Sequence, residues 1–198
     1  MDIQIQGLCH SFGQKQLFQD FNLCLREGCI YGLTAPSGRG KTSLLRILLG
    51  LLSPDRGSVT TNVRYSAVFQ TDRLLPGRTA PEQLLLVRGD QRDRAQCYAF
   101  LRGILPEESL SQPVGELSGG MQRRVAIARA LWAQSDCILM DEPFTGLDEE
   151  TLHQSADFIL KYLQHRTLLI STHQRELLIS YPITWLSLPE HESIEPSS

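Results

Sequence analysis

The chain has 198 residues, of which 41% are hydrophobic, and a formal net charge of −3. This length and apolar fraction predict one compact domain over residues 1–198, and the slightly negative, scattered charge argues against a nucleic-acid partner. No apolar stretch approaches the roughly 20 residues of a membrane helix, and no leader-like segment begins the chain, so we expect no direct membrane insertion.

Strands and helices alternate along the chain. The first two predicted strands are Ile3–Ile5 and a segment from Leu17 to Leu25, which we expect to pair as an antiparallel edge. The segment from Pro54 to Gly57 predicts a turn. Four short apolar runs predict a mostly parallel core sheet with helices on both faces, and they lie at residues 30–33, 68–69, 137–140 and 168–170. The fold class is therefore α/β.

Apolar residues at helical spacing predict two amphipathic helices. The first carries Met121, Val125, Ala128 and Trp132, and the second carries Leu152, Ala156, Ile159 and Leu163. Residues from about 79 to 113 predict a small helical insert, which together with the first helix gives a helical subdomain of about 79–133. The polar segment of about 189–198 is expected to fray.

A glycine-rich loop with a lysine follows the predicted strand at 30–33. Gly38 and Gly40 let successive backbone N–H groups point into one concavity, to which Lys41 adds a cation. Thr42 places a hydroxyl where it can bind Mg²⁺ beside the phosphates. Ala35 replaces the first glycine of the usual pattern G-x-x-x-x-G-K-[ST], which costs little if φ there is negative. The alternative is a turn before a core helix, and the strand-loop-helix context favours a phosphate cradle.

Polar residues at the ends of other predicted strands point to the same crevice, because ligands of α/β sheets bind at the carboxyl ends of strands. Asp141 suits a metal, and Glu142 suits the water that attacks a phosphate. The amide of Gln70 could reach the metal or the water, and His173 could contact the phosphate or hold Glu142. The alternatives are carboxylates that cap a loop, and a surface histidine.

A second anion site is predicted at the start of the helix that carries Met121. Ser118, Gly119 and Gly120 place free N–H groups and the positive end of the helix dipole there, and small residues permit close approach. The arginines that follow are interpreted as a solvated flank of the helix, not a nucleic-acid face: Arg123, Arg124 and Arg129.

The order of these motifs resembles the nucleotide-binding subunit of an ATP-binding cassette (ABC) transporter, from about residue 3 to 188. The resemblance implies a P-loop NTPase of the ABC type with a reduced antiparallel β subdomain, and it implies ATP and Mg²⁺ as cofactors. It implies ATP contacts for Phe12, Ser37, Gly38, Arg39, Gly40, Lys41, Thr42 and Ser43. Catalytic roles are implied for Glu142, His173 and Gln70, and metal binding for Thr42, Gln70 and Asp141.

The resemblance also implies partners. Each ATP would lie between the phosphate loop of one copy and Ser118, Gly119, Gly120 and Asp148 of a second copy, in a head-to-tail dimer. A separate transmembrane permease would hold the subunit on the cytoplasmic face of the membrane, and five cysteines without a Cys-x-x-Cys pair fit such a reducing compartment. The segment at residues 117–124, together with residues 69–76, is similar to importer subunits of the nitrate, sulfonate and taurine group and to related thiamine-precursor importers.

Other functions remain open at this point. A soluble ABC-type ATPase of DNA repair or translation usually carries long coiled-coil insertions or two fused cassettes, and this chain has neither. A binding-only regulator would follow if Ala35 abolished turnover. A P-loop kinase is disfavoured because it has no use for a second phosphate site at Ser118.

Overall fold

The computed structural model describes residues 1–88 and 94–188, so the predicted tail of about 189–198 lies outside the described residues. The strands are β1 (Ile3–Phe12), β2 (Lys15–Leu25), β3 (Ile30–Thr34), β4 (Arg56–Thr60), β5 (Tyr65–Val68), β6 (Cys137–Asp141), β7 (Thr167–Ser171) and β8 (Thr184–Ser187). The α-helices are α1 (Lys41–Leu48), α2 (Ala80–Arg88), α3 (Arg94–Leu101), α4 (Gly119–Trp132) and α5 (Glu149–Leu163). Short 3₁₀ helices span Glu107–Ser111, Val114–Glu116 and Arg175–Leu178.

A five-stranded parallel sheet of order β5-β6-β7-β3-β8 forms the centre of the fold. Every residue of β6 and β7 is buried. Side chains of successive strand residues point to opposite faces. Ile138 and Met140 therefore enter one core with α4 and α5, while Cys137 and Leu139 enter a second core with α1. The predicted parallel sheet covered on both faces is confirmed.

A separate three-stranded antiparallel sheet has the order β2-β1-β4. The predicted pairing of the first two strands is confirmed, with Ile5 opposite Leu23. The turn predicted up to Gly57 was wrong at its end, because Arg56 and Gly57 begin β4. Gly57 has φ of 86°, and a Cβ there would collide with the carbonyl oxygen of Gly7, so this edge needs a glycine.

The predicted helical insert consists of α2, α3 and the 3₁₀ turns that follow. Its boundaries within the chain, about 79–133 for the whole subdomain, stay a prediction. An aromatic cluster joins the insert to α4 and α5: the Phe100 ring lies 5.1 Å from Trp132, 4.9 Å from Phe158 and 4.6 Å from Tyr162. In the part of the chain that is described, no helix combines the length and the apolar character needed to cross a membrane.

All five cysteines are free thiols. Cys137 is completely buried in β6, as its apolar run predicts. Burial, with a smaller effect of Asp136, raises the pKa of this thiol to about 12, so the group stays neutral and packs as a small apolar side chain.

Candidate nucleotide-binding site

The loop between β3 and α1 has the geometry of a phosphate cradle. Gly38 and Gly40 adopt positive φ values of 73° and 95°. A Cβ on Gly40 would lie 2.9 Å from the ring of Phe18, so glycine is required there both by conformation and by space. The loop then opens α1, where the first backbone N–H groups of a helix have no partners within the helix.

Ala35 fits this loop without strain. It is not among the described non-glycine residues with positive φ, so the position does not need the glycine of the usual pattern. Its carbonyl oxygen accepts a hydrogen bond of 2.6 Å from Lys41 Nζ. The loop can therefore form with alanine at this position, and Lys41 remains hydrogen-bonded to the start of the loop.

Thr42 and Asp141 meet across the crevice. The Thr42 hydroxyl donates to Asp141 Oδ2 at 2.7 Å, and the Ser171 hydroxyl donates to Asp141 Oδ1 at 2.6 Å. Asp141 and Ser171 are both buried. Ser171, at the end of β7, was missed by sequence reasoning, although it precedes His173 by two residues at a strand end.

Glu142 lies between Lys41 and His173. Its Oε1 is 3.6 Å from Lys41 Nζ, and its Oε2 is 2.9 Å from His173 Nδ1 and accepts from the His173 backbone N–H at 3.3 Å. The backbone of Glu142 has φ of 50°, a conformation that non-glycine residues rarely adopt and that clusters at functional sites. Hydrogen bonds from its N–H to the carbonyl and hydroxyl oxygens of Ser171 hold it there.

Lys41, Thr42, Asp141 and Glu142 line one open cleft of about 410 Å³. The predicted His173 lines a second pocket, which shares Pro36 with this cleft, and contacts the cleft residue Glu142. Phe12, whose residue is 77% exposed, and the predicted Gln70 both line this cleft. The cleft also contains Lys15 and Arg46, which no sequence motif had singled out. The lining residues are Phe12, Lys15, Leu17, Pro36, Ser37, Gly38, Arg39, Gly40, Lys41, Thr42, Ser43, Arg46, Gln70, Asp141 and Glu142.

The structure places the second predicted phosphate site outside this cleft. Ser118 caps α4, accepting a hydrogen bond of 3.2 Å from the Met121 N–H, and both Ser118 and Gly119 are exposed. A Cβ on Gly119 would meet no atom within 4 Å, whereas one on Gly120 would lie 3.3 Å from Leu147. Within one copy, therefore, this helix start faces open space.

Asp148 also lies outside the cleft, at the start of α5. It is exposed, and its carboxylate accepts from the Thr151 N–H at 2.8 Å and from the Thr151 hydroxyl at 3.0 Å. These two hydrogen bonds hold the pKa of Asp148 below its ordinary value. In a single copy this residue is a helix cap, and its contact with a nucleotide stays a prediction.

The interpretation of the α4 arginines as a solvated flank was wrong. Arg123 is 6% exposed and donates to the carbonyl oxygens of Phe69 and Gln70, each at 2.7 Å. Arg129 donates to the carbonyl oxygens of Asp72 and Arg73. Arginine stems are apolar and their five N–H donors suit backbone carbonyls, so charge alone does not keep these side chains in water.

The sequence model of the ABC transporter family matches residues 18–145. The chain is 37% identical over 158 residues to the aliphatic sulfonates import ATP-binding protein SsuB 1 of Nocardia farcinica, which covers 79% of this chain and 64% of that protein. It is 34% identical over 192 residues to the Nod factor export ATP-binding protein I of Paraburkholderia xenovorans, covering 88% of this chain and 63% of that protein. The chain thus spans slightly less than two thirds of the length of these relatives.

A solved nucleotide-free ATP-binding cassette from an ABC transporter has the same fold. Its TM-score is 0.81 at 22% sequence identity, and the match covers 95% of this chain and 88% of that one. At this identity the likeness concerns the fold alone. Together with the match of the family over residues 18–145, these findings show that the chain belongs to the ABC transporter family.

Proposed function

We propose that this chain is the ATP-binding and ATP-hydrolysing subunit of an ABC transporter. The observation that carries the proposal is the meeting of Lys41, Thr42, Asp141 and Glu142 at one cleft. His173 lies outside the lining of this cleft and is joined to it by its contact with Glu142. A phosphate cradle, a metal-binding pair and a group that orients water are the parts that phosphoryl transfer to water needs.

The nucleotide would lie along the cleft with its base on Phe12 and its phosphates in the loop at residues 35–42. An exposed aromatic ring offers a stacking surface for a base. The backbone N–H groups at the start of α1 and the ammonium of Lys41 supply positive charge for the phosphates. Lys41 then exchanges its contact with Glu142 for a contact with phosphate.

The residues of the cleft fit Mg²⁺. This cation prefers a few protein oxygens together with phosphate and water, and the Thr42 hydroxyl and Asp141 carboxylate are 2.7 Å apart. Thr42, Asp141 and the amide of Gln70 would hold the ion. When bound, it neutralises charge that develops on the phosphates. No group of three or more His, Cys, Asp or Glu side chains in the described residues offers a site independent of the nucleotide.

Glu142 is the residue proposed to act on the attacking water. Its carboxylate is 15% exposed and can accept a proton from water or orient it in line with the terminal phosphate. His173 holds this carboxylate through Nδ1 at 2.9 Å, so it fixes the orientation of Glu142. Gln70, on the cleft wall, would contribute to placing the metal or the water.

Two copies of the chain would close around ATP. Ser118, Gly119, Gly120 and Asp148 lie outside the cleft of their own copy, and the exposed start of α4 is a suitable site for the phosphates of a nucleotide held by another copy. The dimer would form with ATP and separate after hydrolysis.

The membrane partner is proposed to be a separate permease. The segment after Gln70 and the turn before α4 enclose an open groove of about 470 Å³, lined by Leu74, Pro76, Val114, Gly115 and Gln122 among others. Leu75, Leu86 and Val87 are exposed apolar side chains of this segment and of α2. A partner there would keep the subunit on the cytoplasmic face of the membrane.

We propose import as the direction of transport, following the sulfonate relative and the resemblance of the signature segment. Export is the second candidate, since a Nod factor export protein is 34% identical. Co-purification under native expression tests the transporter role, because a permease should accompany the chain. The sequence of that permease would then identify it as part of an importer or of an exporter. If no membrane protein associates, the transport role is wrong.

Hydrolysis is tested by phosphate release with ATP and Mg²⁺. The wild-type chain should turn over, and Glu142→Gln should bind ATP but release phosphate at least about a hundredfold more slowly, because one general base typically contributes that much. Equal, near-zero rates in both proteins, with ATP still bound, would favour a binding-only regulator over the proposed ATPase.

A further inference from the structure

Lys15 lies at the nucleotide cleft but belongs to none of the motifs that define it. It is the first residue of β2, and the strand register places it directly opposite Phe12, the last residue of β1. Directly opposed residues point to the same face of a sheet, with Cβ atoms about 4.5–5.5 Å apart. The Phe12 ring and the Lys15 side chain therefore leave the end of this hairpin side by side.

The ammonium of Lys15 is anchored on the phosphate loop. Its Nζ donates to the Gly38 carbonyl oxygen at 2.9 Å, and a Cβ on Gly38 would lie 3.6 Å from this nitrogen. An ammonium has three N–H donors, so the bond to Gly38 leaves two of them to point toward a ligand. Lys15 lines the same cleft as Phe12 and Lys41.

The two lysines serve different ends of the cleft. Lys41 lies beside Glu142, where the terminal phosphate would be attacked. Lys15 lies between the aromatic wall at Phe12 and the middle of the loop at Gly38. In a nucleotide that spans these two ends, the phosphate attached to the ribose comes closest to the base, and so to Lys15.

We propose that Lys15 binds the ribose-linked phosphate of the nucleotide. The inference rests on the proposed function, because it needs a nucleotide in this cleft. Its bond to Gly38 keeps the long side chain ordered before the ligand arrives, which lowers the entropic cost of the contact. Lys15 thereby links the surface that stacks the base to the loop that holds the phosphates.

The test measures dissociation constants for ATP, ADP, AMP and adenosine, using competition with a fluorescent ADP analogue for the weaker ligands. Lys15→Met should weaken ATP, ADP and AMP about tenfold, the usual size of one charge-assisted hydrogen bond, and leave adenosine unchanged. Lys15→Arg should restore most of the affinity. Lys161→Met removes the same charge from α5, outside the cleft, and should change none of the four constants.

Each contrary outcome identifies what is wrong. Lys15→Gln can still donate to the Gly38 carbonyl, so wild-type affinity in this variant would show that the charge is not used and would overturn the inference. Equal weakening of adenosine and AMP would assign Lys15 to support of the Phe12 ring instead, which also overturns it. If the wild-type chain binds ADP but Lys15→Met binds it equally well, only this inference fails. If the wild-type chain binds no nucleotide, the proposed function fails with it.

Discussion

Arg123 on α4 donates a hydrogen bond of 2.7 Å to the backbone carbonyl oxygen of Gln70. The same guanidinium forms an ion pair of 2.8 Å with Asp72, and it is nearly inaccessible to solvent. The helix that begins at Ser118 is thus fastened to the segment that carries Gln70 into the cleft. We expect a displacement of one to move the other.

Replacing Arg123 tests this connection. Arg123→Met leaves two carbonyl oxygens and a half-buried carboxylate without their partner, so we expect a loss of about 3 kcal/mol in the free energy of unfolding near pH 7. Urea denaturation measures it. Arg102→Met breaks an exposed pair with Glu107 and should cost less than about 1 kcal/mol. At temperatures where the variant is still folded, Arg123→Lys should lower kcat by a larger factor than it changes the ATP dissociation constant. An unchanged kcat would contradict a role of Arg123 in placing Gln70.

The cost of Arg123→Met should depend on pH. Burial raises the pKa of Asp72 above 3.8, while Arg123 and Arg129 oppose the rise. Because the folded pKa exceeds the unfolded one, the folded state binds more protons between the two values, and stability falls as the pH rises through that window. Without Arg123 the folded pKa rises further. The stability difference between variant and wild type should therefore be smallest below the unfolded pKa and grow as the pH rises; a constant difference would contradict this account.

Ser171→Ala removes a hydrogen bond from the buried carboxylate of Asp141. We expect about 1–3 kcal/mol of lost stability and, because supporting residues orient metal ligands, about a tenfold rise in the Mg²⁺ concentration for half-maximal ATP hydrolysis. The matched control is Ser155→Ala, since Ser155 is equally buried but donates to the Thr151 carbonyl oxygen within α5. Its Mg²⁺ dependence should match that of the wild type. An unaltered Mg²⁺ dependence in Ser171→Ala would remove Asp141 from the proposed metal site.

Gly119→Ala tests the proposed approach of a second copy. The added methyl group meets nothing within 4 Å in one copy, so the free energy of unfolding should change by no more than about 0.5 kcal/mol. Phosphate release should nevertheless fall about tenfold or more if another copy's nucleotide must come close to this helix start. Gly77→Ala also adds a methyl group in open space and should leave hydrolysis unchanged. Normal turnover in Gly119→Ala would argue against close packing at this position.

Arg166 ties together the ends of two helices. Its guanidinium donates to the carbonyl oxygens of Leu131 and Ala133 at the end of α4 and of Tyr162 and Leu163 at the end of α5. A cation is favourable at helix carboxyl ends, so Arg166→Met should cost about 2 kcal/mol of stability with an unchanged ADP dissociation constant. Arg64→Met, which loses an exposed pair with Asp136, should lower the free energy of unfolding by much less than Arg166→Met does.

The sequence predicted the parts of the fold that bury apolar residues in a regular pattern. The fully buried β6 and β7 and the two long helices were found from their apolar residues. The strands β4 and β8 were missed because they lie at sheet edges and contain no buried residue, so they carry no continuous apolar run. Burial, not backbone preference, made the difference.

The candidate site was predictable where one local segment holds several functional groups, as at Gly38 to Thr42. Lys15 and Ser171 were missed because their contacts are with residues distant in the chain: Lys15 with Gly38, and Ser171 with Asp141 and Glu142. The burial of the α4 arginines could not be predicted from their charge, because the backbone carbonyls that accept their hydrogen bonds are brought near only by the fold.

The aromatic cluster around Phe100 packs against the carboxyl end of the helix that begins beside Ser118. Trp132, in the cluster, and Gly119 are the last and first residues of α4, which at 14 residues is about 20 Å long. A tilt of about 5° about the carboxyl end would carry the other end, near Arg123 and the Gln70 segment, through nearly 2 Å, about the difference between a hydrogen bond and no contact. A small displacement along the side of the helix would therefore be larger at its start.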